Sequence, residues 1–224
     1  TIPWLAALQS NALRDFHHYG FPTRNNENWK YTLLDKFTQQ RFIPTDKRPV
    51  SVPAGMSDLP IGSSITLHNG HIIENAELIA SLPKGVIIQP LLTALVLNAD
   101  KVKPYLGQLL HTEHGFHALN TATLQTGLLI YLPAGVCLDT PLVLNHWQDE
   151  DNQATHVRHL IIAEEGSQAT IIERYAGEEG RCYLTNTITE ACLAKHAKIT
   201  HYKLQCESKA AFPHSDTTSF CKPI

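Results

Sequence analysis

The chain has 224 residues, 43% of them hydrophobic and 17% charged, which allows one ample core or a small helical module joined to a larger domain and excludes fibrous and disordered classes. A formal charge of -3 supplies no broad positive field, so nucleic acid is not an expected partner. Apolar stretches such as 127–136 are too short to cross a bilayer as a helix, and Thr1 is not followed by a secretory pattern, so no membrane or export role is expected.

In chain order, Thr1 reads as a helix N-cap with Pro3 in the first turn. Trp4, Leu5, Leu8, Ala12, Leu13 and Phe16 share a face, and Gly20 is the stop. A second short helix is predicted from Asn26 or Glu27 through Trp29 and Leu33 to about Phe37, before Pro44 and Pro49 break the pattern. From Ile65 the text Ile-Thr-Leu-His, Asn69-Gly70, His71-Ile72-Ile73 is a two-residue hairpin. Another helical stretch starts at Pro90, where Leu91, Leu92, Leu95, Val96 and Ala99 share a face. The helices are thus expected mainly before Leu110.

After about Ala118 the texture turns to β: 128–132, 142–145, 159–163, 169–175, 183–188 and 197–204, with turns at Pro133-Ala134-Gly135 and Glu164-Glu165-Gly166. The segments Ile130 to Leu144, Ile161 to Tyr175 and Thr189 to Lys203 look like one unit recurring about every thirty residues, the mark of a stacked solenoid. The expected fold is mainly β, a right-handed parallel β-helix preceded by helices and the hairpin, and an antiparallel sandwich is the runner-up. The division is residues 1–117, helical with the hairpin, and 118–224, a partial β-helix. Its last rung falls near 197–204, followed by an irregular tail from Phe212 that carries Pro213 and Pro223.

Cys137, Cys182, Cys192, Cys206 and Cys221 are odd in number, widely spaced and without a C-x-x-C pair. This suits reduced cytosolic thiols and displays neither a zinc knuckle nor a local cluster site. Cys182, Cys192 and Cys206 read as small buried hydrophobes, and Cys221 as exposed. His111, His114 and His117 stand three apart and would share a helical face, which suits metal ligation. Gly115 weakens a helix there and only Glu113 could complete the set, so loop hydrogen bonding is preferred and no metal site is assigned. Asp149-Glu150-Asp151 reads as a solvated turn. Glu164, Glu165, Glu173 and Arg174 could serve a carbohydrate-active enzyme, but no paired carboxylates recur in the other units. No Gly-rich Lys-Ser/Thr phosphate loop is present.

The run Phe21-Pro22-Thr23-Arg24-Asn25-Asn26-Glu27-Asn28-Trp29-Lys30-Tyr31-Thr32 resembles the "PTR…ENWKYT" signature of the SufB/SufD family. The Asn-Gly hairpin, Ala118-Leu119-Asn120-Thr121-Ala122 with Gly127 and Pro133-Ala134-Gly135, and the stretch from His159 to Glu173 are similar to the same family, and the Trp-Lys-Tyr form leans towards its SufD branch. The resemblance implies a helical N-terminal part, a parallel β-helix core and a C-terminal helical part that docks on the SufC ATPase. It implies a non-catalytic cytoplasmic scaffold with SufB-like and SufC-like partners; a further expectation is either a homodimer through the β-domain or a last rung covered by the tail from Ala210 to Ile224 folding back. No cofactor is expected on this chain alone, and an iron–sulfur cluster only in the full complex. Arg24, Asn28, Trp29, Lys30 and Tyr31 are expected to be structural or partner-binding. The family's late Cys-Ser-His motif and SufC-docking helices have no matching positions, and the text after Ala211 does not resemble the family, so a truncated or altered end is expected. The alternatives are a β-helix carbohydrate-active enzyme and a His-rich metal-binding β protein.

Overall fold

The computed structural model describes residues 2–26, 29, 34–44, 52–53, 64–124 and 126–221. Helix α1 (Pro3–Tyr19) opens with a proline whose missing N–H would have no helical partner anyway, and it stops where the Gly20 N–H donates to the Phe16 carbonyl. Its N-cap is Ile2 rather than Thr1 and makes no side-chain capping bond. Ala12 is buried, Trp4 and Leu5 pack on the core, and Leu13, expected on the same face, is half exposed. The expected second helix lies mostly outside the described residues, which retain only α2 (Asp35–Thr38).

A short β1 (Ile43–Pro44) precedes the hairpin of β2 (Ser64–His68) and β3 (His71–Ile73), whose Asn69 and Gly70 both take positive φ as a two-residue turn of that type requires. Then come α3 (Ala76–Ser81), capped by the Asn75 side chain accepting from the Leu78 N–H, β4 (Ile87–Pro90), α4 (Leu91–Leu97) and α5 (Ala99–Val102). Helix α6 (Gly115–Thr123) lies beyond the expected limit of the helices, and the expected division at 117/118 falls inside it. Gly115, read as a helix breaker, is what lets α6 dock, because a Cβ there would stand 2.2 Å from the Gly20 carbonyl oxygen.

The remaining strands are β5 (Leu128–Leu132), β6 (Leu142–Gln148), β7 (Gln153–Ala163), β8 (Gln168–Gly177), β9 (Leu184–Leu193), β10 (Lys198–Cys206) and β11 (Phe212–Cys221). They alternate between two sheets, ordered β11-β9-β7-β5-β4 (with β1 also on β7) and β10-β8-β6-β2-β3. Every pairing along β5 to β11 is parallel, forming a β-solenoid of about three turns. The sandwich alternative is thereby excluded. The registers are Ile130↔Ile161↔Ala191 and Leu144↔Glu173↔Lys203. The alignment read from the sequence set Thr189 and Tyr175 in those rows, a slip of two residues, which leaves every side chain on its own face. At the corners the Gly135 N–H donates to the Glu165 carbonyl and the Gly166 N–H to the Lys195 carbonyl, so the turns stack as the strands do.

The segment from Phe212 departs most from expectation. It is a full strand, paired with β9 from Phe212↔Leu184 to Cys221↔Leu193. Its alternation is masked because polar residues stand on both faces of this last rung. Pro213 costs the pairing with β9 no hydrogen bond, because the Phe212 N–H donates towards β9, to the Tyr183 carbonyl, and the next nitrogen points away from it.

Between the sheets, Ile65, Leu67, Leu142, Leu144 and Ile171 meet Leu128, Ile130, Val157, Ile161 and Ala191. On the outer face of the first sheet, Leu129, Leu160 and Ile162 are covered by Leu91, Ala94, Leu95 and Val102 of α4 and α5 and by Leu106. Each such fully buried aliphatic side chain contributes about 1.5–3 kcal/mol. Beside this apolar seam lies a charged strut in which Arg158 and Glu190, both with no side-chain exposure, pair at 2.6 Å. Arg158 Nε donates to Asn120 Oδ1 at 2.8 Å and its other terminal nitrogen to the Thr121 hydroxyl, both acceptors on α6. The Glu190 carboxylate also accepts from the Gly107 and Leu109 N–H groups. Removing one member leaves a buried charge unpaired, so Glu190→Ala and Arg158→Ala are each expected to cost about 3–5 kcal/mol. Chemical denaturation should show a double variant losing far less than the sum of the two; strict additivity would mean that the charges do not act as a pair.

Candidate functional site

The solenoid interior changes character along its axis. The first rungs are filled by aliphatic side chains, and the later ones by His146, His159, Glu173, Tyr175 and Thr189, all buried, with His201 and Lys203 at the last rung. The Glu173 carboxylate accepts from the Tyr175 hydroxyl, from the Thr189 hydroxyl at 2.7 Å and from His201 Nε2 at 2.9 Å, with Lys203 Nζ at 3.9 Å. Burial works against its charge, but the bond from His201, with neighbouring imidazoles and Lys203, holds its carboxyl well below the usual range. His146 stacks on Tyr175 with centroids 4.4 Å apart. His159 Nδ1 accepts from the Leu128 N–H at 3.2 Å, so its Nε2 carries the proton and donates to His146 Nε2 at 3.3 Å. The arrangement is a chain of polar groups that runs towards β10, with the Glu173 carboxylate bonded by Tyr175, Thr189 and His201.

A second cluster lies on the outer face of the last rung, where α6 meets β11. His114, His117 and His214 place one ligand atom each within 4.8 Å of one another, and His117 Nε2 lies 2.8 Å from Asp216 Oδ2. His111 is not in this group. Burial, then neighbouring imidazoles, lower His114 to about 4 and His214 to about 3, while the bond from His117 holds the Asp216 carboxyl far below its usual range. Sequence reasoning missed His214 and Asp216 because they lie in the strand taken for an irregular tail. It missed Arg158 and Glu190 because a charge inside an apolar strand declares its partner only once the register is known.

Of the signature residues, Trp29 stacks on Phe116 at 5.3 Å and on His214 at 5.6 Å, which is a packing role. Arg24 is exposed, and Asn28, Lys30 and Tyr31 lie outside the described residues. The acidic turn is solvated, as expected, with Asp151 exposed, and it also acts as a clasp. Asp149 accepts from Asn69 Nδ2 at 2.8 Å and bonds His68 Nε2 at 2.8 Å, and Asp151 accepts from the Cys182 N–H and from Arg181. Cys192 is buried as expected, Cys182 is partly buried, and Cys206 is exposed because β10 is the outermost strand of its sheet; the Cys221 side chain lies outside the described residues. Glu164 and Glu165 sit at a corner turn while Glu173 points into the interior, so they do not form a carboxylate pair. A cavity of about 660 Å³ opens between the hairpin turn and α6, walled by Phe21, Phe37, Phe42, Leu119 and His156. Among the described residues no helix is long and apolar enough to cross a membrane.

The buried imidazoles make stability depend on pH. Burial, with His159 as a lesser cause, lowers His146 to about 3; burial lowers His156 and His159 to about 4. The unfolded chain takes up protons on these rings near the ordinary value of 6.5, before the folded one does. Their contribution is therefore whole above that pH and is lost as pH falls towards about 4. At pH 5 the three rings together should cost on the order of a few kcal/mol, shared between His146 and His159 because the two are bonded to each other. Urea unfolding at pH 7.5 and pH 5 should reveal it, and equal midpoints would refute it.

Two family models match the chain: that of the SufBD protein N-terminal region over residues 1–144, and that of the SUF system FeS cluster assembly SufBD core domain over residues 146–222. The second match runs through β11, so the stretch after Ala211, expected to diverge, continues the family. The chain is 26% identical over 214 residues to an iron–sulfur cluster assembly SufBD family protein of Synechocystis, covering 90% of this chain and 47% of the relative. It is 25% identical over 217 residues to the iron–sulfur cluster assembly protein SufD of Bacillus subtilis, covering 88% and 47%. A SufBD family protein of Staphylococcus haemolyticus is 31% identical over 127 residues, 54% of this chain and 27% of the relative. The chain thus spans about half the length of the first two curated relatives. With both models matched in sequence order and the solenoid in place, the chain belongs to the SufBD family of the SUF iron–sulfur cluster assembly system.

Proposed function

We propose that this chain is the N-terminal and early-core portion of a SufD-like, non-catalytic scaffold subunit. It works in the cytoplasm with a SufB-like and a SufC-like partner while an iron–sulfur cluster is built on the complex as cargo. The observation that supports the reading is the parallel solenoid of β5 to β11 in a chain matched by both SufBD models in sequence order. Stacked rungs present an extended surface suited to holding partners. Against the carbohydrate-active alternative, Glu173 is enclosed and its carboxylate is taken up by Thr189 and His201.

Co-expression with SufB-like and SufC-like proteins tests the scaffold role. The tagged chain is expected to co-elute with the SufB-like protein, and ATP hydrolysis is expected only in fractions that hold the SufC-like protein. The chain alone is expected to contain no acid-labile sulfide and to hydrolyse no ATP. Co-elution with neither partner, or a sulfide-bearing cluster on the isolated chain, would sink the reading.

A further inference from the structure

We propose that His114, His117, His214 and Asp216 bind one first-row divalent metal ion, zinc(II) being the type ion, and that this ion staples α6 to the last strand of the solenoid. The site is independent of the scaffold reading. Its donors come from two places about a hundred residues apart in the chain. His114 is the N-cap of α6 and His117 lies in its first turn, while His214 and Asp216, two apart on β11, share the face that α6 covers. Three imidazoles with a carboxylate, and no thiolate, are the donor set of zinc(II) and its neighbours rather than of calcium or magnesium.

Three observations point to a ligand here. The three nitrogen donors already lie within 4.8 Å of one another, and tetrahedral coordination at a metal–nitrogen distance of about 2.0–2.1 Å needs them about 3.3 Å apart, a change within the reach of side-chain rotation. The second is a supporting hydrogen bond that presets one ring. Asn186 Nδ2 donates to the Phe116 carbonyl and to His156 Nδ1, both at 3.0 Å, which turns its Oδ1 towards His214, whose Nδ1–H donates to it at 3.1 Å. His214 Nε2 is thereby left with a free lone pair, the usual way a neighbouring polar group prepares a ligating imidazole. The third is His114 Nδ1, which is buried without any hydrogen-bond partner, a cost that coordination of the ring would offset.

Asp216 supplies negative charge beside the three rings. His117 Nε2 now bonds it at 2.8 Å while Nδ1 accepts from the Glu113 N–H at 3.4 Å; coordination through Nε2 moves the ring proton to Nδ1, gives up that long bond, and leaves the carboxylate as fourth donor. Trp29 stacks on His214 at 5.6 Å and meets His114 edge-on at 5.1 Å, which shields the site and provides an optical reporter.

The test uses the full chain stripped with a chelator and titrated with cobalt(II), then zinc(II). One tight equivalent of cobalt is expected, with visible d–d absorption of tetrahedral intensity and quenching of Trp29 fluorescence, both reversed by zinc. Zinc should also raise the melting temperature. His214→Phe, which preserves stacking on Phe116 and Trp29, and Asp216→Asn should each weaken the tight equivalent; for the lost imidazole this should exceed the roughly hundredfold effect of losing a group that only hydrogen-bonds a ligand. His111→Ala and the pair His17→Ala with His18→Ala should leave it intact. If His214→Phe fails to fold, His114→Gln decides instead. Absence of the tetrahedral band, a tight equivalent unchanged in His214→Phe or His114→Gln, or one that disappears with His17 and His18 would overturn the proposal.

Discussion

Arg158 and Glu190 sit on neighbouring rungs with no exposure, and the assembly of helices on the solenoid depends on satisfying them. Two charges removed from water are tolerable only when every donor and acceptor is used. Arg158 reaches Asn120 and Thr121 on α6 as well as Glu190, while Glu190 takes the N–H groups of Gly107 and Leu109. Asn120 in turn donates to the carbonyls of Val157 and Asn186, both at 2.8 Å. One network therefore demands the register of β7 against β9, the seating of α6 and the path of the 107–109 segment together. Gly127 belongs to the same constraint, because a Cβ there would stand 1.7 Å from the Arg158 carbonyl oxygen.

The interior follows a different logic. Stacked rungs present the same columns of side chains again and again, and here the columns change from Leu144 to Glu173 to Lys203 and from Leu128 to His159 to Thr189. Aliphatic burial dominates where Leu144 and Leu128 stand. Where Glu173 and His159 replace them, burial keeps the imidazoles neutral and hydrogen bonds hold the carboxylate charged, which links this part of the fold to pH.

The outer face of the last rung joins these themes. Phe116 stacks on His214 at 4.8 Å, and Trp29 from the signature segment covers both. The segment that announces the family in the sequence is thus packed against the strand that the sequence disguised, and Trp29 acts there as a lid over histidines rather than as an exposed recognition residue.

Much of the architecture was legible without coordinates. The Asn69-Gly70 turn needs positive φ whatever surrounds it, the apolar face of α1 follows from its period, and the recurrence of Ile130, Ile161 and their successors declares a stacked β-fold, because local periodicity records which side of a strand is buried. What tertiary structure alone decided was partnership. Gly115 was required because the Gly20 carbonyl approaches it, and Pro213 could sit in a strand because its nitrogen points away from β9. His214 came beside His114 and His117, and Glu190 beside Arg158, only through the register of the rungs. Contacts between residues far apart in the chain leave no period in the sequence, so these pairings emerged from folding and could not be read before it.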